Sequence, residues 1–211
     1  MMTVFIHVEE PSMEEVLKIL LPKLLAGRAI NVQIINHGSK QKLRNNLAMR
    51  FKGYAQRMAR ENIRVLVVVD RDNDDCKQLK ADLESIAAGA GLATKSAPAS
   101  DGSFRVVNRI VIEELEAWFF GDVAALCAAY PGVPGSLGGK FSYRQPDAIK
   151  GGTWEALLRV LQQSGHYPAG KYLPKIDVAR RVAAHMESSK NKSPSFRQFI
   201  AGLEALLGLP V

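Results

Sequence analysis

The sequence predicts an α/β fold, with a mostly parallel sheet flanked by helices and a helical C-terminal appendage. Three observations carry this. Short apolar runs alternate with amphipathic stretches from Val4 to Trp118, the pattern of strand–helix–strand units with right-handed crossovers. Val65–Val69 (VLVVV) is apolar without alternation, as expected of a central parallel strand buried on both faces. Beyond Tyr130 no strand-like run occurs, and three helical patterns follow. Residues 1–130 are therefore read as the α/β domain and 131–211 as a helical extension packed on it.

The elements follow in order. Val4–Val8 (VFIHV) reads as a buried strand, with His7 as a core histidine. Ser12-x-x-Glu15 has the form of a capping box, and Val16, Leu17, Leu20 and Leu24 continue at helical spacing to a stop at Gly27. Pro22 inside this pattern predicts a kink or break. Val32–Ile35 is a second strand. Leu43, Leu47, Phe51, Tyr54 and Met58 step by four, four, three and four, drawing one apolar stripe along a second helix. After the VLVVV strand, Leu79, Leu83 and Ile86 mark a third helix ending near Gly89, with Asn73 or Asp74 as candidate caps. Phe104–Ile112 is the fourth strand. Pro131–Gly139 is a Gly/Pro-rich loop. The last helices are expected at 154–163, 177–185 and 194–207, the last starting at Ser193-Pro194 with Phe196 and Phe199 turned inward.

Composition bounds the function. The chain has 211 residues, 28 Lys+Arg against 21 Asp+Glu, two cysteines and four histidines. Cys76 and Cys127 cannot build a disulfide scaffold, and the Cys and His residues have no zinc-ligand spacing. A reducing cytoplasm is the expected compartment. No apolar run approaches the ~20 residues that span a bilayer, and the N-terminal stretch turns acidic at once, unlike a signal peptide. The net charge of +7 equals the content of one segment: Lys40, Lys42, Arg44, Arg50, Lys52, Arg57 and Arg60 lie between Gly38 and Arg60 with no acid among them. Such clustering is an electrostatic footprint for a polyanion, so these seven are candidate nucleic-acid contacts; the competing reading is a solvated helix face.

The acids suggest chemistry. In open α/β sheets ligands bind beyond the carboxyl ends of the strands. Three strands end there in carboxylates: Glu9 and Glu10, then Asp70 and Asp72, then Glu113, Glu114 and Glu116. If these strands are parallel neighbours, the acids converge, and their repulsion is relieved by a divalent cation. Oxygen ligands without Cys or His suit Mg²⁺ or Mn²⁺. Glu9, Glu10, Asp70, Asp72, Glu114 and Glu116 are the candidate ligands. In Asp70-x-Asp72, the alternation of an extended backbone would direct both side chains to one side. Against this, Asp70–Asp75 also reads as a polar turn, and the acids around Glu113 as a favourable helix N-terminus.

Other motifs carry less. Gly165-x4-Gly170-Lys171 has P-loop spacing, but Tyr172 stands where Ser or Thr belongs, Pro168 disrupts the loop and no strand precedes it. No Gly-x-Ser-x-Gly elbow exists. His37, His166 and His185 have no evident catalytic partner. Lys171, Lys175, Arg180 and Arg181 form a second basic stretch, read as solvated surface.

The order of elements, a glutamate after the first strand and Asp-x-Asp after the third resemble the Toprim domain, a Rossmann-like module of topoisomerases, bacterial-type primases, RNA-maturation nucleases and overcoming-lysogenization-defect nucleases. More closely, Val8-Glu9-x-Pro11-Ser12-x-Glu14-Glu15, Asp70-Arg71-Asp72-x-x-Asp75-Cys76, Glu114-x-Glu116-Ala117-Trp118 and Ser193-Pro194-Ser195-Phe196-Arg197-x-Phe199 resemble a bacterial Toprim-like family of unassigned function. Members are often paired with ATPases of the ABC type in phage-defence systems. The general likeness covers about 120 residues and the closer one nearly the whole chain. It implies Mg²⁺-dependent phosphodiester chemistry, with Glu9 as general acid/base and Asp70 and Asp72 holding the metal. A glycine commonly follows the Toprim glutamate, whereas this chain has Glu10. The length leaves no room for strand-passage or replicative-primase modules.

The expectation is thus a Mg²⁺- or Mn²⁺-dependent nuclease acting on DNA or RNA, with catalytic Glu9, Asp70 and Asp72 and an ABC-type ATPase as a partner. Two other classes remain: a non-catalytic binding module, and a metal-dependent phosphatase or nucleotide-handling enzyme.

Overall fold

The computed structural model describes residues 1–168, 170 and 172–209. Four strands, β1 (Met2–Val8), β2 (Ile30–Asn36), β3 (Ile63–Asp70) and β4 (Val106–Val111), form one sheet in the order β2-β1-β3-β4. Every pairing is parallel, and Val8 aligns with Asn36 and Val68. The carboxyl ends of β1, β3 and β4 therefore lie side by side.

Helices α1 (Pro11–Leu24), α2 (Lys40–Met58) and α3 (Cys76–Ala88) make the crossovers. The chain steps from β1 out to β2, then back past β1 to β3. With right-handed crossovers this reversal puts α1 on one face and α2 and α3 on the other. The burial follows the two-residue strand period. Val4, Ile6, Val8, Leu66 and Val68 join the α1 side, while Phe5, Val65, Val67 and Val69 pack with Leu43, Leu47, Phe51, Leu79 and Leu83. β3 is covered on both faces, which is why Val65–Val69 carries no polar residue.

The remaining helices are α4 (Glu116–Gly121), α5 (Val123–Ala129), α6 (Thr153–Gln163), α7 (Lys175–His185) and α8 (Pro194–Leu207), with 3₁₀ turns at Leu137–Gly139 and Pro146–Ala148. They pack on the α1 side: α7 lies against α1, and α8 against β4 and β3. Trp118, Phe196 and Phe199 are fully buried there, ring against ring at 5.0 Å from the indole. Burying an aromatic or aliphatic side chain of this size is worth about 1.5–3 kcal/mol. One apolar cluster thus runs from Val4 to Leu207.

Several local expectations are corrected. Ser12 is not an N-cap: Pro11 occupies the first turn, Glu10 is the cap position, and the Ser12 hydroxyl donates to Glu10 at 2.6 Å. Proline fits there because its missing N–H needs no partner. Pro22 does not break α1, which runs two residues further to Leu24. Asp75, not Asn73 or Asp74, caps α3 by accepting from the Gln78 amide at 2.8 Å. α5 was not foreseen; Asp122 caps it through the Ala125 amide. Ser193 does cap α8, accepting from the Phe196 amide. Among the described residues, no helix is long and apolar enough to cross a membrane.

Candidate metal centre

The carboxyl edge of the sheet gathers the acids as the parallel order requires. Glu9, directly after β1, Asp70, the last residue of β3, and Asp72, two residues on, each present a carboxylate oxygen within 4.8 Å of the others. Asp70 is 3% exposed and Glu9 9%. At such spacing two unit charges repel by about 3 kcal/mol at an effective dielectric of 20. That exceeds what one ordinary hydrogen bond returns, about 1 kcal/mol.

The backbone locks this arrangement. Arg71 N–H donates to Val111 at 2.8 Å and Asp72 N–H to Glu113 at 2.9 Å, stitching the loop after β3 to the loop after β4. Asp72 (φ +50°) and Glu113 (φ +62°) both adopt left-handed backbone, unusual for residues with a Cβ. The expected extended alternation of Asp70 and Asp72 is therefore corrected: the left-handed turn, not a continuing strand, brings Asp72 beside Asp70. An ion pair between Arg71 and Glu113 spans the same two loops. The Leu115 amide donates to Asp70 Oδ2 at 3.3 Å. Glu10 sits at φ −132°, extended backbone that any residue adopts, so a glycine after Glu9 is not required here.

The carboxylates are short of partners. Among the described residues, Glu9 Oε2, Asp70 Oδ1 and Glu116 Oε2 are buried without a hydrogen bond. Burial raises the Glu9 pKa to about 7, with Asp72 and Glu10 adding to the rise and Lys40 opposing it. Burial, then the charges of Glu9, Glu10, Glu116 and Asp72, hold Asp70 well above the ordinary carboxylate range. Glu116, 1% exposed, is raised to about 7, first by burial; Lys175 opposes this and Glu114 adds to it. A bound cation would satisfy such buried carboxylate oxygens. The hard, all-oxygen donor set fits Mg²⁺ or Mn²⁺.

Two lysines divide the acids. Lys40, at the start of α2, donates to Asp72 at 2.7 Å and to Asp74 at 2.9 Å. Lys175, at the start of α7, lies 4.0 Å from Glu10 and 3.9 Å from Glu114. Desolvation acts against its charge, but Glu116, Glu10, Glu114 and Asp70 together raise its pKa. Glu114 is committed elsewhere: its Oε2 accepts from the Thr153 amide, the Thr153 hydroxyl and the Trp154 amide, closing the N-terminus of α6. The trio of Glu9, Asp70 and Asp72 thus comes together, while Glu10, Glu114 and Glu116 group around Lys175.

The basic helix is placed differently from the expectation. Lys40 faces the acids rather than a polyanion. Arg44 pairs with Asp82 and Arg57 with Glu61. Lys42, Arg50, Lys52 and Arg60 are exposed. α2 runs back from the carboxyl edge, so Arg57 lies about 26 Å along the axis from Lys40 at 1.5 Å per residue. Most of that cationic face leads away from the acid cluster. The second basic stretch is likewise spent on pairing: Arg180 with Glu15, Arg181 with Asp177, and Lys175 as above. Lys171 lies outside the described residues.

Sequence reasoning placed Lys40 among the nucleic-acid contacts and Lys175 on a solvated surface, not beside the carboxylates. Lys40 carried a signal, since it opens the helix that follows β2 at the carboxyl edge; Lys175 carried none. A buried chain also went unseen: His7 Nδ1 lies 2.9 Å from His37 Nε2, and His7 Nε2 lies 3.1 Å from the Tyr54 hydroxyl. Burial, with His37 and Arg50 nearby, lowers the His7 pKa to about 3, so the imidazole is neutral. The chain ties β1 to α2 and thereby fixes the helix that carries Lys40.

Fold and site together define a parallel α/β protein with a carboxylate cluster at the carboxyl edge of its sheet. The chain belongs to the family described as Domain of unknown function (DUF4276), whose model matches residues 8–204. No curated protein and no solved structure matches it.

Proposed function

We propose that the protein is a Mg²⁺- or Mn²⁺-dependent phosphodiester hydrolase acting on nucleic acid. One observation carries this reading: Glu9, Asp70 and Asp72 converge within 4.8 Å, with buried oxygens on Glu9 and Asp70 that no donor among the described residues satisfies. The resemblance to the Toprim module assigns the same three residues.

Asp70 and Asp72 would hold the cation, with Glu9 beside them. When bound, the ion supplies positive charge against the charge that develops on the scissile phosphate. Glu9, with a pKa near neutrality in the cation-free protein, is suited to move a proton between water and the leaving oxygen. Lys40, held by Asp72 and Asp74, provides a fixed positive charge at the mouth of the site. The Asp70 carboxylate keeps its orientation through the Leu115 amide.

The test is cleavage of labelled single- and double-stranded DNA and RNA in Mg²⁺ or Mn²⁺, by wild type and by Glu9→Gln and Asp70→Asn. Cleavage by wild type that both variants lose, with their folds intact by circular dichroism, is the expected result. Equal cleavage by the variants sinks the assignment. An ABC-type ATPase partner is a further part of this proposal, tested by co-purification of the two proteins and by cleavage with and without ATP.

A further inference from the structure

Beyond Lys40, the basic residues from Lys42 to Arg60 lead away from the acid cluster, yet another surface runs toward it. Three clefts adjoin in sequence. The first, of about 870 Å³, is lined by Asp72, Glu113, Glu114 and Trp154 and closed on one side by Ala148–Lys150. The second, of about 520 Å³, shares that Ala148–Lys150 wall and adds Phe141, Arg144 and Arg159. The third, of about 620 Å³, shares Tyr143 and Arg144 with the second and adds Lys190, Lys192 and Arg197.

The charge changes along this path. No acid lines the second cleft. The single acid of the third, Asp122, is buried, with both oxygens occupied by the amides of Ala125 and Glu187. Among the described residues, Arg144, Lys150, Arg159 and Lys192 are exposed and pair with no carboxylate, whereas Lys40 and Arg44 of α2 are paired. Aromatic rings are interleaved. Phe141 is 81% exposed, and the Arg144 guanidinium lies 4.6 Å above its ring. Tyr143 is stacked on Phe120 at 5.2 Å, which fixes its plane at the junction of the second and third clefts. Trp154 lies at the acid end.

We propose that these clefts are one track for a single-stranded nucleic acid, entering over Lys192, beside the Lys190–Glu187 pair, and passing Arg144 and Lys150 to reach Asp72. Unpaired cations suit the phosphates, and the exposed Phe141 ring, with half-buried Tyr143 and Trp154 along the path, suits bases that are not stacked within a duplex. The acidic end repels phosphate unless a cation is bound, so the strand is drawn to the metal site only when that site is charged. The track rests on the hydrolase reading for its purpose, but its existence is a matter of binding alone.

The experiment measures binding of a fluorescent single-stranded oligonucleotide to the full chain by anisotropy in EDTA, where no metal-dependent cleavage occurs. Wild type is expected to bind the single strand more tightly than a duplex of the same length. Arg144→Ala/Lys150→Ala/Arg159→Ala is expected to weaken binding at least tenfold and to lower the salt slope by about 2, at ~0.7 per phosphate contact. Phe141→Ala is expected to weaken it about tenfold with the salt slope unchanged, since stacking releases no counterions. Lys42→Ala/Lys52→Ala/Arg60→Ala, on α2 and the turn after it, is the control and is expected to stay within twofold. All these residues are exposed, and circular dichroism checks each fold. Preference for the duplex, wild-type affinity in the triple cleft variant, or loss confined to the α2 variant overturns the track. Binding by this route without cleavage by wild type in Mg²⁺ sinks the hydrolase reading instead and leaves the track standing.

Discussion

Lys40 donates to Asp72 across 2.7 Å, joining the first turn of α2 to the loop after β3. Its positive charge also lowers the pKa of Glu9, against the burial that raises it to about 7. Lys40→Met therefore removes the one nearby cation that favours ionised Glu9, and the Glu9 midpoint is expected to rise further. A carbon-detected NMR titration of side-chain carboxyls checks this. A midpoint unmoved from the wild-type value would show that Lys40 does not act on Glu9.

Asp70→Asn is expected to stabilise the metal-free protein while removing its response to Mg²⁺. The amide side chain still accepts from Leu115 but no longer places a charge beside Glu9 and Asp72. Relief of a repulsion of this kind is worth about 1–3 kcal/mol near pH 8. Because Asp70 has a raised pKa, the gain shrinks as pH falls and the wild-type carboxylate takes up its proton. Denaturant unfolding with and without Mg²⁺ measures both effects. A destabilised Asp70→Asn protein, or one that Mg²⁺ still stabilises, goes against this account.

Metal affinity is expected to rise with pH. Glu9 titrates near 7 in the folded, metal-free chain and at about 4.5 when unfolded, so it keeps a proton that a cation must displace. Below pH 7 each carboxylate of this kind weakens binding by about tenfold per pH unit. The same shift means that the metal-free fold gains stability from Glu9 as pH falls from above 7 toward 4.5. Calorimetry of Mg²⁺ binding at about pH 6 in two buffers of different ionisation enthalpy reads the released proton. Affinity and heat that do not depend on pH or buffer would rule out the buried, protonated ligand.

Glu114→Ala separates a structural acid from a ligand. Its Oε2 takes three hydrogen bonds at the N-terminus of α6, so its loss resembles removal of a helix cap and is expected to cost about 1–2 kcal/mol. Mg²⁺ affinity is expected to stay within about threefold of wild type, corresponding to less than ~0.7 kcal/mol. Denaturant unfolding and metal titration test the two halves separately. A large loss of affinity would return Glu114 to the ligand set.

Much of the frame is legible in the residues. The unbroken VLVVV run announces a doubly covered strand, and the stripe from Leu43 to Met58 announces α2, because both signals are local periods of apolar side chains. The reading of Asp70 and Glu9 as neighbours needed one further step, that β1 and β3 are adjacent and parallel, as their register shows. What escaped the sequence was set by contacts between distant segments. Glu114 looks like any acid before a helix until α6 is packed beneath it. Lys175 looks like surface until α7 is laid against α1. The basic run on α2 did not disclose its direction, because linear spacing does not tell which end of a helix lies near the site.

The sequence by itself determined the α/β class, the strands and most helices, and placed Glu9, Asp70 and Asp72 at strand ends, because hydrophobic period and strand-end chemistry are written residue by residue. Tertiary structure alone decided which acids meet. The parallel order β2-β1-β3-β4 and the left-handed turn at Asp72 bring Glu9, Asp70 and Asp72 together. The packing of α6 and α7 draws Glu114 and Lys175 into their own contacts. Charge interaction depends on distance and burial in space, and neither is a property of the linear chain.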